Sequence, residues 1–507
     1  VVIDSDKDAR QFHGTAPTAE LNFAAGGLLN GAHLERGVKL ATEDQSGAAK
    51  TERTWSSPVA DLGFIHSGKG GVALSKVHGT GGVVVTGNSQ RDNGPASPSR
   101  LTADDVTGVF GADSTLTSLT GTGHATIVQT TASGTAQSTS GDRLEAHFAP
   151  MTASAGKSGH QGGTQGGGTQ IESATVDGNV ALNQQAPARD GMPVPPVMRA
   201  AAQHAIYEST GEWLRLTGDP RVEDGGLQLS ANKIDFSQSS GDAFARGDVK
   251  ATWLGNQATR GAQPSTGSLG GKMPALGAET PAHVVAAQAQ LQQRSGEVTF
   301  RGDARLWQQG NSITAPVIIL NRIRQTLVAQ TTAPANPVRV ILVAPAAQAS
   351  GKSNTPERPS VIRVSGGDLK YSDAERKAMM GGVAGGAVIA ETATATTHSS
   401  QVELTLLPAG NHASGDGAGA QVDRLIARGD VRIHSMGRQG TGDQLVYNGS
   451  TGEYTLTGSP AAPPRLTDPT RGTVTGEALI FNSRDDSVNV EGGNHRTVTE
   501  TTVPKRP

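Results

Sequence analysis

The 507-residue chain contains no cysteine. Disulfides and thiolate metal sites are therefore excluded, and an oxidising compartment is allowed without being required. Aromatic residues make up only 3% of the chain, which excludes a thick core of large rings. No apolar run approaches the roughly 18 residues of a membrane-spanning helix. Neither sign of charge dominates, because 43 Lys and Arg stand against 46 Asp and Glu. The basic excess typical of a nucleic-acid binder is absent, so no nucleic acid is expected as a partner. The first residue is Val1 rather than Met; the expectation is a trimmed signal peptide, or a membrane anchor on a segment outside this chain.

What is abundant is small. Glycine accounts for 67 of 507 residues, about twice the usual share of roughly 7%. Such material favours strands joined by many turns. Helix signals are sparse, and even "YSDAERKAMM" at Tyr371–Met380 reads as strand, turn, strand.

The chain repeats itself. "AIYESTGEWLRLTGDP" at Ala205–Pro220 returns 240 residues later as "LVYNGSTGEYTLTGSP" at Leu445–Pro460. The general pattern is a Gly or Ala, then Leu, Ile or Ala three residues on, then Tyr, Phe or Leu two further, then Gly eleven further. It holds at Ala202/Ala205/Tyr207/Gly218, Ala231/Ile234/Phe236/Gly247 and Ala286/Ala289/Leu291/Gly302. It holds again at Gly366/Leu369/Tyr371/Gly382, Gly442/Leu445/Tyr447/Gly458 and Gly476/Leu479/Phe481/Gly492. Before each closing Gly, apolar residues alternate with polar ones, as at Leu214 and Leu216, Val298 and Phe300, Tyr454 and Leu456, Val488 and Val490. Period-two alternation means a strand with one buried face. Ser-Thr-Gly and Ser-Gly turns sit between the arms, so each repeat is a β-hairpin. A β layer with one apolar face needs a second layer, in a sandwich, a jelly roll or a solenoid.

Three Arg-Gly-Asp tripeptides, at Arg246–Asp248, Arg301–Asp303 and Arg428–Asp430, invite a cell-adhesion reading. Their glycines close repeats or end similar strands, so a bulge or sharp bend with Asp in the turn accounts for them better. The first 200 residues read as more degenerate. The stretches 151–170 and 331–360 read as linkers or insertion loops, apart from a buried strand at Val338–Pro345. "AGKS" at Ala155–Ser158 and "SGKS" at Ser350–Ser353 lack the leading Gly of a phosphate-binding loop. The histidines show no ligand spacing, and carboxylate pairs such as Asp104-Asp105 and Asp485-Asp486 are turn-like. No catalytic residue, metal or cofactor is expected.

The C-terminal half resembles the OstA-like family of periplasmic lipopolysaccharide-transport proteins, which includes LptA, LptC and the N-terminal domain of LptD. The residues that carry the resemblance are "ARGDVRIHSMGRQGTGDQLVYNGSTGEYTLTGSP", "GTVTGEALIFNSRDDSVNVEGG" and "VSGGDLKYSDAERKAMMGGVAGG". It spans Ala201–Gly493 and is weak before that.

The resemblance implies an all-β fold, in which repeated hairpins form an elongated, edge-open β-jelly-roll, with several modules in series. It implies modules at 171–330 and 361–507, and an LptC-like portion at 1–150. Its interior would shield the acyl chains of lipopolysaccharide or lipid A. The implied lining is Tyr207, Leu214, Leu216, Ile234, Phe236, Phe300, Leu369, Tyr371, Leu445, Tyr447, Tyr454, Leu456, Leu479, Phe481, Val488 and Val490. Alternation would turn Arg215, Gln444, Val446 and Thr455 to water. The implied partners are transport components at the inner and outer membranes and further copies end to end. The implied place is the periplasm of a Gram-negative-type envelope. Two other readings compete: a closed-core structural or adhesin-like surface protein, and a carbohydrate-active β-enzyme, which lacks its carboxylate site.

Overall fold

The computed structural model describes all residues except 8–9, 47–48, 67–71, 92–93, 112–114, 132–133, 151–168, 189–194, 255–279, 345–359, 408–421, 436, 483–486, 493–496 and 501–507. The stretches "AGKS" and "SGKS", the pair Asp485-Asp486, most of the expected loop 151–170 and half of the expected loop 331–360 lie outside the described residues. Within them the chain is all-β and jelly-roll-like. Its one helical element is a 3₁₀ turn at Val383–Gly385.

Two units emerge from the packing. The first comprises Val1–Gly225, Ser230–Ala245 and Gly261–Leu269; the second comprises Gly226–Leu229, Arg246–Arg260 and Gly270–Pro507. Both follow one plan. Long strands bend in the middle, and their two halves belong to two different layers.

The strand Val422–Ser435 illustrates the bend. Its first half pairs antiparallel with Gln401–Leu406, Leu404 opposite Leu425. Its second half pairs with Ala395–Ser399, Thr397 opposite Ile433. Between the halves Gly429 and Asp430 have φ of 78° and 48°. They stand opposite the single residue Asp443, which makes a β-bulge. Gly302 and Asp303 repeat the geometry at φ 82° and 49°, and Gly247 and Asp248 at 76° and 47°. In the first unit Gly123/His124 and Gly178/Asn179 play the same part. Asp, Asn and His are the non-glycine residues that best tolerate this left-handed region. The Arg-Gly-Asp tripeptides are therefore corners of the fold. Proline stands opposite two corners, at Pro58 and Pro316, where no ladder N–H is needed.

The corner also explains the repeat spacing. A strand that crosses it opposite the bulge loses one residue of alternation. Gly442 and Leu445, three apart, therefore face the same side: Gly442 is opposite buried Val431 and Leu445 opposite buried Ala427.

One expectation needs correction, that for Val338–Pro345. The first 200 residues, whose repeat reads as more degenerate, hold the longest of the described strands, Leu28–Ser46, Ala49–His66 and Thr169–Gln185. Their inward residues are often Gly or Ala, which blurs the hydrophobic alternation without weakening the ladder. Val338–Ala344 is a strand, but only one face is buried, since Val338, Val340 and Leu342 are covered and Arg339 is exposed.

Candidate functional site

The inward side chains of one layer line up across neighbouring strands. In the second unit, one row runs through Ala289, Phe300, Ile318, Ala329, Leu369, Met380, Val402, Ala427, Leu445, Leu456, Leu479 and Val490, each the cross-strand partner of the next. The adjacent row runs through Leu291, Val298, Leu320, Leu327, Tyr371, Ala378, Leu404, Leu425, Tyr447, Tyr454, Phe481 and Val488. Neither contains a charged residue. At about 4.8 Å per strand, twelve strands make an apolar lane about 50 Å long.

The first unit repeats this. Ala19, Leu34, Ala60, Gly79, Val106, Gly121, Leu144, Val176, Ala205, Leu216 and Ile234 form one row. Leu62, Val77, Leu119, Ala146, Tyr207, Leu214 and Phe236 belong to the next. All sixteen residues singled out from the sequence thus fall on inward rows. The sequence reading missed Ile318, Leu320, Leu327, Val402, Leu404 and Leu425, although the same alternation marks Asn311–Asn321, Thr326–Gln330 and Gln401–Leu406.

The second layer closes over the first. In the second unit it presents Leu306, Ile313, Val340, Val364, Ala390, Ile433, Leu466 and Val474, with Thr397 and Gly440 among them. The Trp253 ring meets Phe300 edge-on at 6.1 Å. A Cβ built on Gly440 would lie 3.1 Å from Leu456 Cδ2, so this glycine makes room for the leucine. In the first unit Trp55 fills the space left by Gly79 in the same manner.

The lane is filled by the protein's own side chains. Leu445, Leu456 and Leu479 are 0% exposed, whereas Tyr207, Tyr447, Val488 and Val490 are half-buried. The rings of Tyr447 and Tyr454 are 4.7 Å apart, and Tyr454 stacks on Phe481 at 5.2 Å. Burial raises the phenol pKa of both Tyr371 and Tyr454, and Tyr371 donates to Asp373 at 3.0 Å. These phenols stay neutral, and the lane stays uncharged. Arg215, Gln444, Val446 and Thr455 point outward but are half-buried by their neighbours rather than freely exposed.

Among the described residues, the chain passes between the layers along one side. Among the described strands, every passage from one layer to the other is at a corner, as at Gly429-Asp430, Gly458–Pro464 and Ser400. The hairpins Asn448–Glu453 and Ser435–Arg438 close the two layers separately at the other side. A hydrogen bond of 3.4 Å between Thr392 Oγ1 and the Tyr454 hydroxyl links the layers away from the corners. Among the described residues, no three His, Asp or Glu gather to hold a metal ion.

The fold and site define an all-β protein whose two units each hold an apolar interior between two layers. No protein-family model matches the sequence, and no curated protein matches it. Among solved structures, the chain is similar to the crystal structure of LptH, the LptA-homologous periplasmic component of the lipopolysaccharide transport device of Pseudomonas aeruginosa. The identity is 12%, over 35% of this chain and 82% of that one, with a TM-score of 0.18.

Proposed function

We propose that this protein is a periplasmic bridge component that carries lipopolysaccharide between membranes by shielding its acyl chains between the two β layers. The observation that carries the reading is the pair of apolar rows, uninterrupted by charge across twelve strands. A single enclosed ligand needs a pocket; a lane perpendicular to the strands suits a chain that slides. The family resemblance of Ala201–Gly493 supplies the lipid class. Since side chains now fill the lane, the layers must part to admit acyl chains, hinging on the corners. The side opposite the corners, where separate hairpins end, is where they separate. The indole N–H of Trp253 is buried without an acceptor, and an acyl ester carbonyl is one group that would satisfy it.

The 0% exposure of Leu445, Leu456 and Leu479 favours the second reading, a closed structural core. A photo-crosslinking residue at Tyr447 or Leu456 separates the two. It captures lipopolysaccharide under the bridge reading, while one at Gln444 or Thr455 does not. Equal capture at both sets removes the lane argument, and capture at neither, in a folded protein, leaves the closed core.

A further inference from the structure

The outward residues also form rows, and those of the second unit differ between its two layers. On the layer that carries the twelve-strand lane, the outward row through Lys370, Met379, Glu403, Ile426, Val446 and Thr455 holds one cation and one carboxylate. On the other layer, cross-strand register links Arg305, Arg339, His398, Arg432 and Arg465 in a single row. Thr314, Ser365 and Thr441 lie between them, together with Ile389. The row contains no carboxylate.

The four arginines are exposed. Among the described residues none of them forms an ion pair, in contrast to Arg143, Arg215, Arg428 and Arg438. Arg363 and His434 extend the patch in the neighbouring row, where Glu391 stands opposite Arg363, and the corner residues Asp303 and Asp430 lie two positions before Arg305 and Arg432. Midway along, a cleft of about 360 Å³ opens beside His398, Ser400, Arg432, His434 and Gly385-Gly386, with Asp430 as its one carboxylate. A chain with net charge −3 has no compositional reason to gather its cations here.

We infer that this outer face is a docking track for a linear acidic polysaccharide. From Arg305 to Arg465 the row crosses nine strands, or about 38 Å, with arginines about 10–19 Å apart. Neighbouring strands rotate by about 20–25°, so the row turns as it advances. A flexible polyanion follows such a track, whereas a flat bilayer touches only part of it. Guanidinium groups take carboxylates in a bidentate fork, and the intervening hydroxyls suit sugar hydroxyls. Binding to single-stranded nucleic acid would call for aromatic stacking platforms along the track. Among Trp, Tyr and Phe the two rows offer one half-buried ring, Trp307, and Arg305 already lies over it at 5.6 Å, with the His283 ring stacked on it at 5.3 Å.

The inference is independent of what the interior carries, and its test uses no lipid. The probe is polygalacturonate, with the full chain, followed by calorimetry or fluorescence anisotropy. Binding is expected at low salt and should weaken at least tenfold between about 50 and 200 mM NaCl, as the screening length shrinks. The triple variant Arg339→Gln, Arg432→Gln, Arg465→Gln should lose at least tenfold in affinity. The triple variant Arg301→Gln, Lys370→Gln, Arg424→Gln, equal in charge but on the other layer, should bind as the parent does. All six positions are exposed, and unchanged circular dichroism verifies folding. Equal losses in the two triple variants, or no binding by the parent, overturn the inference. So does tighter binding of a single-stranded DNA oligomer or of anionic vesicles than of the polyuronate.

Discussion

Leu456→Ala tests whether the two layers form a packed interior. Leu456 is 0% exposed, lies between Leu445 and Leu479 in its row, and approaches Gly440 and Gly442 from the opposite layer and the corner. The substitution removes three carbons, about 2.4 kcal/mol at roughly 0.8 per buried methylene. The two glycines have no side chain to swing into the space, so a cavity term adds to this. The expected total is about 2.7–5 kcal/mol. In urea, with m near 3 kcal/mol/M, the midpoint falls by about 1–2 M at constant m. Where in this range the value falls is informative: layers able to close on the gap give the low end, and rigid layers the high end. Thr455→Ala, one residue away and outward, should cost within about 0.5 kcal/mol. A cost for Leu456→Ala below about 1 kcal/mol, or equal to that of Thr455→Ala, would refute the inward assignment of both rows.

Gly429→Ala should lower stability by about 1–2 kcal/mol through its left-handed backbone, and more through the Ser400 side chain, which lies 2.9–3.0 Å from the added Cβ; Asp430→Asn should be nearly neutral, and the reverse order in thermal melts would contradict the corner. Hydrogen bonds to Asp61 at 2.6 Å and then Glu35 at 3.1 Å favour the charged form of His33 and raise its pKa above 6.5. Its contribution to stability is complete below that value and is lost as pH rises through the raised one. His33→Gln should therefore flatten the dependence of Tm on pH in that window, and an unchanged slope would show that the pair is not formed. Ala427→Leu overfills a site that is 0% exposed and should cost about 1–3 kcal/mol in lipid-free protein. Under the bridge reading this loss shrinks when lipopolysaccharide is bound, because the lipid has already parted the layers; a melt shift that is the same with and without lipid favours the closed core.

Local features were legible in the sequence because alternation and turn chemistry act over short spans. Tyr447, Tyr454 and Leu456 show their inward face within a dozen residues, and Gly442–Leu445 records a corner as a broken period. Where inward positions are Gly79, Gly108 and Gly121, the signal vanishes, since a glycine in a strand and a glycine in a turn look alike in sequence. The register between distant segments was not legible at all. That Arg339 and Arg432 share a row follows from a chain of pairings through Ser365, Ile389 and His398, and no local pattern encodes it. The filling of the lane was hidden for the same reason: alternation names the residues that face inward, but only the opposing layer decides whether they meet.

The scarcity of aromatics acquires a physical meaning in this light. A lane between two layers is only as wide as the side chains that hold the layers apart. In the long row bulky and small residues alternate in blocks, Phe300 and Ile318 before Ala329, Met380 and Val402 before Ala427. Across the layers Gly440 receives Leu456, and Gly79 receives Trp55. Large residues at every position would prop the layers open to water, and small ones throughout would bury too little surface to close them. The mixture closes the interior through shallow contacts; under the bridge reading these are the contacts that a lipid tail, itself apolar, replaces one strand at a time. Each replacement exchanges one hydrocarbon contact for another, so the change in free energy per step is small. What must not change is the backbone ladder and its corners, and there the sequence places glycine in the left-handed region, at Gly247, Gly302 and Gly429.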